Sequence, residues 1–205
     1  MGEDGFVIHR LLTPATVEPV TLAEAKVVCA VDSDLTEEDA HIEHLIRSAR
    51  HFVQGDLGLY GNPVRLAQES WLNGWGYWPR DSWFQLRVMP VTAVTFVSYM
   101  PDGQPLVYMD LDDFFLEAEQ GRLFHITGAW PTVGLGFAGV SVSFTAGYAP
   151  ADVPPDLKEV MLAMVAHWFE NREAVVAGTE YRAEAAIVPK RYDDLMQPYR
   201  VRRLG

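Results

Sequence analysis

The period of the apolar residues changes twice along this chain, and those changes limit the possible folds more than any single motif does. Ile42, Leu45, Ile46, Ala49, Phe52 and Val53 recur at spacings of three and four, as do Leu157, Val160, Met161, Met164, Val165 and Trp168, so each set describes one stripe of a helix. Between them, from Pro63 to Tyr148, short β-rich runs are punctuated by Gly and Pro. Val64 to Leu72, Phe84 to Met89, Val91 to Met100, Leu106 to Met109, Asp113 to Glu117, Arg122 to Ile126 and Val140 to Thr145 read as strands. Pro101-Asp102-Gly103 marks a turn between two of them. In Val140-Ser141-Val142-Ser143-Phe144 the apolar side chains face one way and the serines the other, the pattern of a half-buried antiparallel strand.

Local signals fix the helix ends. Thr21-Leu22-Ala23-Glu24 has the spacing of a capping box, so a short helix is expected to about Val31. Thr36 can cap a second helix with Glu37, Glu38 and Asp39 in its first turn, where the macrodipole favours acids, and Gly55 or Gly58 stops it. Pro154 and Pro155 suit the start of a long helix to Arg172. Glu173 to Val188 has little periodicity, and Pro189 can open a last short helix through Leu195 and Met196. The expected fold class is α+β: an α-helical bundle base of two N-terminal helices and a long C-terminal helix, an inserted small antiparallel β-sheet, and an extended C-terminal tail. The expected boundaries are 1–62 for the N-terminal helical part, 63–150 for the β-rich insertion, 151–178 for the long helix completing the helical domain, and 179–205 for a tail or docking segment.

Charge narrows the function classes. The 205 residues carry a formal charge of −12 and are 49% hydrophobic, which excludes global disorder and argues against a free-standing binder of nucleic acid or anionic membrane. The excess is uneven: Arg182 to Gly205 holds six basic and three acidic residues, so the preceding body carries −15. Such asymmetry marks the basic tail as an interaction segment. The lone Cys29 cannot form an internal disulfide, and neither a signal peptide nor a membrane-spanning run is legible, so a soluble protein made in a reducing cytoplasm is expected.

Candidate chemistry is thin. Gly134 to Gly139 matches G-x-G-x-x-G, but a strand rather than a helix follows, so a glycine loop is favoured over a cofactor cradle. His41, Glu43 and His44, one turn beyond Glu37, lack zinc-protease spacing, and Asp110, Asp112, Asp113 and Glu117 lack the glycine and polar ligands of a calcium loop. His167 lies between Ala166 and Trp168 with no nucleophile elbow nearby, so packing is its expected role. No catalytic, cofactor-binding or metal-ligating residue is expected. The rings of Trp71, Trp75, Tyr77, Trp78, Trp83 and Phe84, interleaved with Gly74, Gly76 and Pro79, suit either core or an interface; Trp75, Trp78 and Trp83 are the candidate interface aromatics.

An ordered series of pieces carries a family resemblance. Val20-Thr21-Leu22-Ala23-Glu24-Ala25-Lys26, Val31-Asp32, Asp39-Ala40, Ile42, Leu45-Ile46 and Ala49-Arg50 are followed by Trp130-Pro131, Ala146-Gly147-Tyr148, Val153-Pro154, Leu157-Lys158, His167 to Glu173, Val188-Pro189 and Pro198-Tyr199-Arg200. Together, from about Val20 to Arg200, they resemble the phage head–tail connector (adaptor) proteins of the HK97 connector-like group, related to proteins labelled as DNA-packaging proteins and including gene transfer agent adaptors. The resemblance implies a structural, non-enzymatic ring of twelve-fold symmetry in a virion or phage-like particle, assembled in the bacterial cytoplasm. Its implied partners are the portal protein, a downstream connector (stopper) or tail protein, and further copies of itself, with DNA passing through without specific binding. It also implies that the C-terminal region meets the portal, and Arg191, Tyr199, Arg200 and Arg202 are the candidate docking residues. The alternative from another class is a small cytoplasmic enzyme or ligand-binding protein using the Gly134–Gly139 loop.

Overall fold

In the computed structural model of the chain, the structure describes residues 6–57, 64–79, 83–127, 130–133, 139–171 and 190–199. The chain divides into two compact units, Met1–Thr16 with Gly61–Tyr148 and Val17–Tyr60 with Ala149–Gly205. The fold is α+β, with antiparallel sheets in the first unit and helices in the second.

In the helical unit, α1 (Leu22–Val28), α2 (Asp39–Leu57), α3 (Pro155–Glu170) and α4 (Lys190–Met196) are followed by a 3-10 turn at Gln197–Tyr199. The capping box forms as the sequence implies: the Thr21 hydroxyl accepts from the Glu24 N–H, and the Glu24 carboxylate accepts from the Thr21 N–H at 2.7 Å. The helix ends at Val28, earlier than expected. There Ala30 adopts φ +53°, its N–H reaches the Val27 carbonyl, and the Val31 N–H reaches that of Lys26. This is a Schellman ending with alanine in the left-handed position that glycine usually fills. Thr36 to Asp39 forms a turn, so α2 starts at Asp39, and of the two candidate stops Gly55 is passed, the helix running to Leu57.

α3 packs on α1, α2 and α4. Ile42, Leu45, Ile46, Ala49 and Val53 of α2 are buried, as are Leu157, Val160, Met161, Met164 and Val165 of α3. Each large side chain among them contributes about 1.5–3 kcal/mol by leaving water. Phe52 departs from the expected stripe: it is 42% exposed and meets Trp168 edge-on, with centroids 6.3 Å apart. Two buried cations tie the helices to their loops. Lys26 Nζ lies 2.6 Å from Asp39 Oδ1 and donates to the carbonyls of Ser33 (3.1 Å) and Leu35 (2.7 Å). Arg50 donates to both carboxylate oxygens of Glu18, at 2.7 and 3.3 Å, and to Gln54 Oε1.

The sheet unit differs more from expectation. Instead of one small sheet it holds two. The larger has the order β1-β2-β8-β4-β5, formed by β1 (Phe6–Thr13), β2 (Glu69–Trp75), β8 (Val140–Ala146), β4 (Val91–Tyr99) and β5 (Val107–Tyr108). The smaller has the order β3-β7-β6, formed by β3 (Trp83–Gln85), β7 (Arg122–His125) and β6 (Phe114–Glu117). All strand pairs are antiparallel. β1 has no counterpart among the elements expected from sequence, and β2 overlaps the expected Val64 to Leu72 run but starts five residues later and ends three later. β8 sits centrally between β2 and β4, which explains why Ser143 is buried along with Val142 and Phe144. Phe84, Leu86 and Leu123 share one core with Trp71, Trp75, Val97, Val140 and Phe144, so the inner faces of both sheets are covered.

Candidate functional site

The tryptophan-rich segment is largely consumed by this core. Trp75, on β2 between β1 and β8, is 4% exposed and lies 4.7 Å from Phe84 between ring centroids. Trp78 stacks on Trp130 at 4.5 Å and 15°, and its Nε1–H donates to the Pro131 carbonyl at 2.6 Å, which satisfies the polar end of a half-buried indole. Trp130 stacks in turn on His125 at 4.3 Å. Trp83 is half-buried; Arg122 lies 4.9 Å over its ring, and Phe124 packs beside it on the neighbouring strand. Trp78 and Trp83 therefore keep part of their surface open, whereas Trp75 serves the interior. A second group of rings forms at Trp71: Arg65 lies 4.9 Å over it, His9 of β1 stacks on it at 4.6 Å and 16°, and His9 Nδ1 is 2.8 Å from Asn73 Oδ1.

The short last helix expected after Pro189 forms as Lys190–Met196, and it does not hang free: Tyr192 and Met196 are buried in the helical unit. The Tyr199 hydroxyl donates to Asp156 Oδ2 at 3.3 Å, on the first turn of α3. Tyr192 and Met196, four residues apart on one helix, are thus packed within the chain and are not left for a partner. Of the candidate docking residues, Tyr199 is half-buried; the Arg191 side chain, Arg200 and Arg202 lie outside the described residues.

The polar candidates fall apart in space. His41 packs near Phe169 at 6.1 Å, His44 is exposed, and the Asn171 amide donates to the His167 carbonyl at 2.8 Å. Asp110 caps the 3-10 turn at Leu111–Asp113 by accepting from the Asp112 N–H, and Asp113 accepts from the Thr127 hydroxyl. Among the described residues no three His, Cys, Asp or Glu side chains are grouped to hold a metal, and no helix is long and apolar enough to cross a membrane. Gly134 to Ala138 lie outside the described residues; the Gly139 carbonyl accepts from Met100, and β8 follows it.

Sequence reasoning missed the apolar side chains left open on the sheets: Leu11 and Leu12 on β1, Tyr108 on β5, and Phe115 and Ile126 at the smaller sheet. Leu11, Leu12 and Tyr108 stay open because β1 and β5 end their sheet, which no local pattern in the sequence shows.

No protein-family model matches the chain, and no curated protein matches it. Solved structures do match. The structure "Neck of empty GTA particle computed with C6 symmetry" contains a chain that superposes with a TM-score of 0.73 at 20% identity, over 97% of this chain and 98% of that one. The values are the same for "Virion of native gene transfer agent (GTA) particle". For "Neck of native GTA particle computed with C12 symmetry" the TM-score is 0.68 at 19% identity, with the same coverage. This chain shares its fold with chains of gene transfer agent particles. The α+β class expected from sequence agrees with that fold, and the correspondence runs almost end to end in both chains.

Proposed function

We propose that this chain is a head–tail adaptor of a phage-like particle: a structural, non-enzymatic component that forms a twelve-fold ring below the portal and joins it to the next connector or tail protein. The observation that carries the reading is the near-complete structural match to chains of neck assemblies solved with six-fold and twelve-fold symmetry. In this reading α1, α2 and α3 form the helical base of the ring, and the particle's head–tail interface is where the protein resides after assembly in the bacterial cytoplasm.

Electrostatics supports a conduit. Every phosphate neutralised by Lys or Arg adds affinity that would hold DNA in place, and a body carrying −15 avoids this. Portal docking falls to the basic C-terminal end. Tyr192 and Met196 are spent on the helical unit, so Arg191, Arg200 and Arg202, with Tyr199 at the boundary, are the residues proposed to reach the portal. The exposed parts of Trp78 and Trp83 are proposed to face the next component.

A pull-down with the portal tests this. Full-length protein should be retained, and deletion of Pro198 to Gly205 should abolish retention while the melting temperature barely moves. Unchanged attachment of the truncated chain would refute the docking role. Binding to any duplex with a steep salt dependence would point to DNA contact instead.

A further inference from the structure

The five-stranded sheet is open at both ends, and its two ends are unlike. β1 closes one side and β5 the other, and among the described residues no strand pairs with the outer edge of either. Edge strands present unpaired backbone groups, and natural monomers usually blunt them with charge or cover. Here both edges carry open apolar side chains. Successive side chains of a strand point to opposite faces, so a consecutive pair of open apolar residues leaves both faces of the edge uncovered. Val107 and Tyr108 form such a pair on β5; on β1 Leu11 and Leu12 are both open, Leu12 standing in the register shift between Leu11 and Thr13.

The charges at the two edges are opposite. β1 carries Arg10, exposed, and no acid along its length. Around β5 the exposed acids are Asp102, Asp110 and Asp112, and no basic residue occurs between Met100 and Asp113. The exposed arginine on β1 and the exposed acids beside β5 are complementary, but the two edges stand at opposite ends of one sheet and cannot meet within a copy. A head-to-tail repeat uses each edge once, and such a heterologous contact generates a ring when its rotation closes.

We propose that neighbouring copies of this chain associate head to tail through these edges, the β1 edge of one copy seated against the β5 edge of the next. Leu11 and Leu12 meet Val107 and Tyr108, and Arg10 faces Asp112 and its acidic neighbours. The inference rests on the ring reading given above and adds the surface through which the ring closes.

Cysteine cross-linking tests it in the assembled protein. In a Cys29→Ala background, Arg10→Cys and Asp112→Cys are introduced together, the protein is assembled with portal, and a short bismaleimide is added. A ladder of linked copies in the double variant, absent from each single variant, is the expected result. Assembly with no ladder beyond the single-variant controls overturns this inference and leaves the ring reading standing. Failure of the parent protein to gather several copies on portal overturns both. A charge swap provides a second readout: Arg10→Asp should weaken assembly by at least about tenfold, and adding Asp112→Arg to it should recover most of that loss. Equal assembly by Arg10→Asp and the parent would contradict the proposal.

Discussion

Lys26 makes the sharpest single test of how the helical unit holds together. Its ammonium has three protons to donate and three partners around it: Asp39 Oδ1 at 2.6 Å, the Leu35 carbonyl at 2.7 Å and the Ser33 carbonyl at 3.1 Å. The side chain is 7% exposed, whereas Asp39 is 26% exposed, so the ion pair sits at the boundary between interior and water. Lys26→Met keeps most of the volume and removes the charge. Hydrogen bonds from a charged donor are each worth about 1.5–3 kcal/mol, but water can reach Asp39 and the loop carbonyls once the ammonium is gone. Asp39 also keeps the favourable field of the first turn of α2. The net loss should therefore be about 2–4 kcal/mol, less than the sum of the three contacts. Urea unfolding followed by helical circular dichroism measures it, with Lys26→Arg expected to fall between parent and Met because a planar guanidinium cannot reproduce the three-way geometry. A loss below about 0.5 kcal/mol, the size of an ordinary surface change, would refute the claim that this lysine clamps the α1–α2 loop.

Leu45→Ala should lower stability by about 2–5 kcal/mol, whereas Val27→Ala, at a residue 79% exposed, should change it by less than about 0.5 kcal/mol; paired denaturation curves check both. Ala30→Gly should stabilise by about 0.5–1 kcal/mol, because relief of the left-handed strain outweighs the greater freedom of glycine in the unfolded chain. Gly147→Ala should destabilise by about 3 kcal/mol or more, since φ is +110° and a Cβ there would overlap the Ala67 carbonyl. The Thr21 N–H and hydroxyl hold the Glu24 carboxyl below its ordinary value of 4.5, so its contribution is present at neutral pH and is lost as the pH falls below about 4.5 through the lowered value. Glu24→Gln should accordingly lose less stability than the parent over that acid range, as measured by thermal melts from pH 6 to about pH 3.

The parts legible in sequence were those set by neighbours along the chain. Thr21 and Glu24 marked a helix start because a capping box is closed within four residues, and the α2 and α3 stripes were visible because each lies on one element. β1 was not legible: Phe6–Thr13 runs apolar, basic, then apolar without alternation, and its partner β2 lies some sixty residues away. Only the first half of β2 was legible: Asn73 and Gly74 argue against a strand until β1 and β8 flank them and bury Asn73 completely. Lys26 and Arg50 belong to the family-like N-terminal pieces, and their role as loop clamps appears only once Ser33, Leu35, Asp39 and Glu18 are brought to them. Among the site candidates, the aromatic abundance of the 71–84 stretch was plain, but its division between core and surface depends on Trp130 and His125, far along the chain.

The central claim is that copies of this chain gather in a ring on a portal. Native mass measurement of the purified complex, made from full-length protein added in excess to portal rings, tests it most directly. The account predicts a single stoichiometric species with as many copies of this chain as the portal has subunits, twelve on a twelve-fold portal. Portal rings that remain bare, or that carry a graded and unsaturable number of copies, would contradict it.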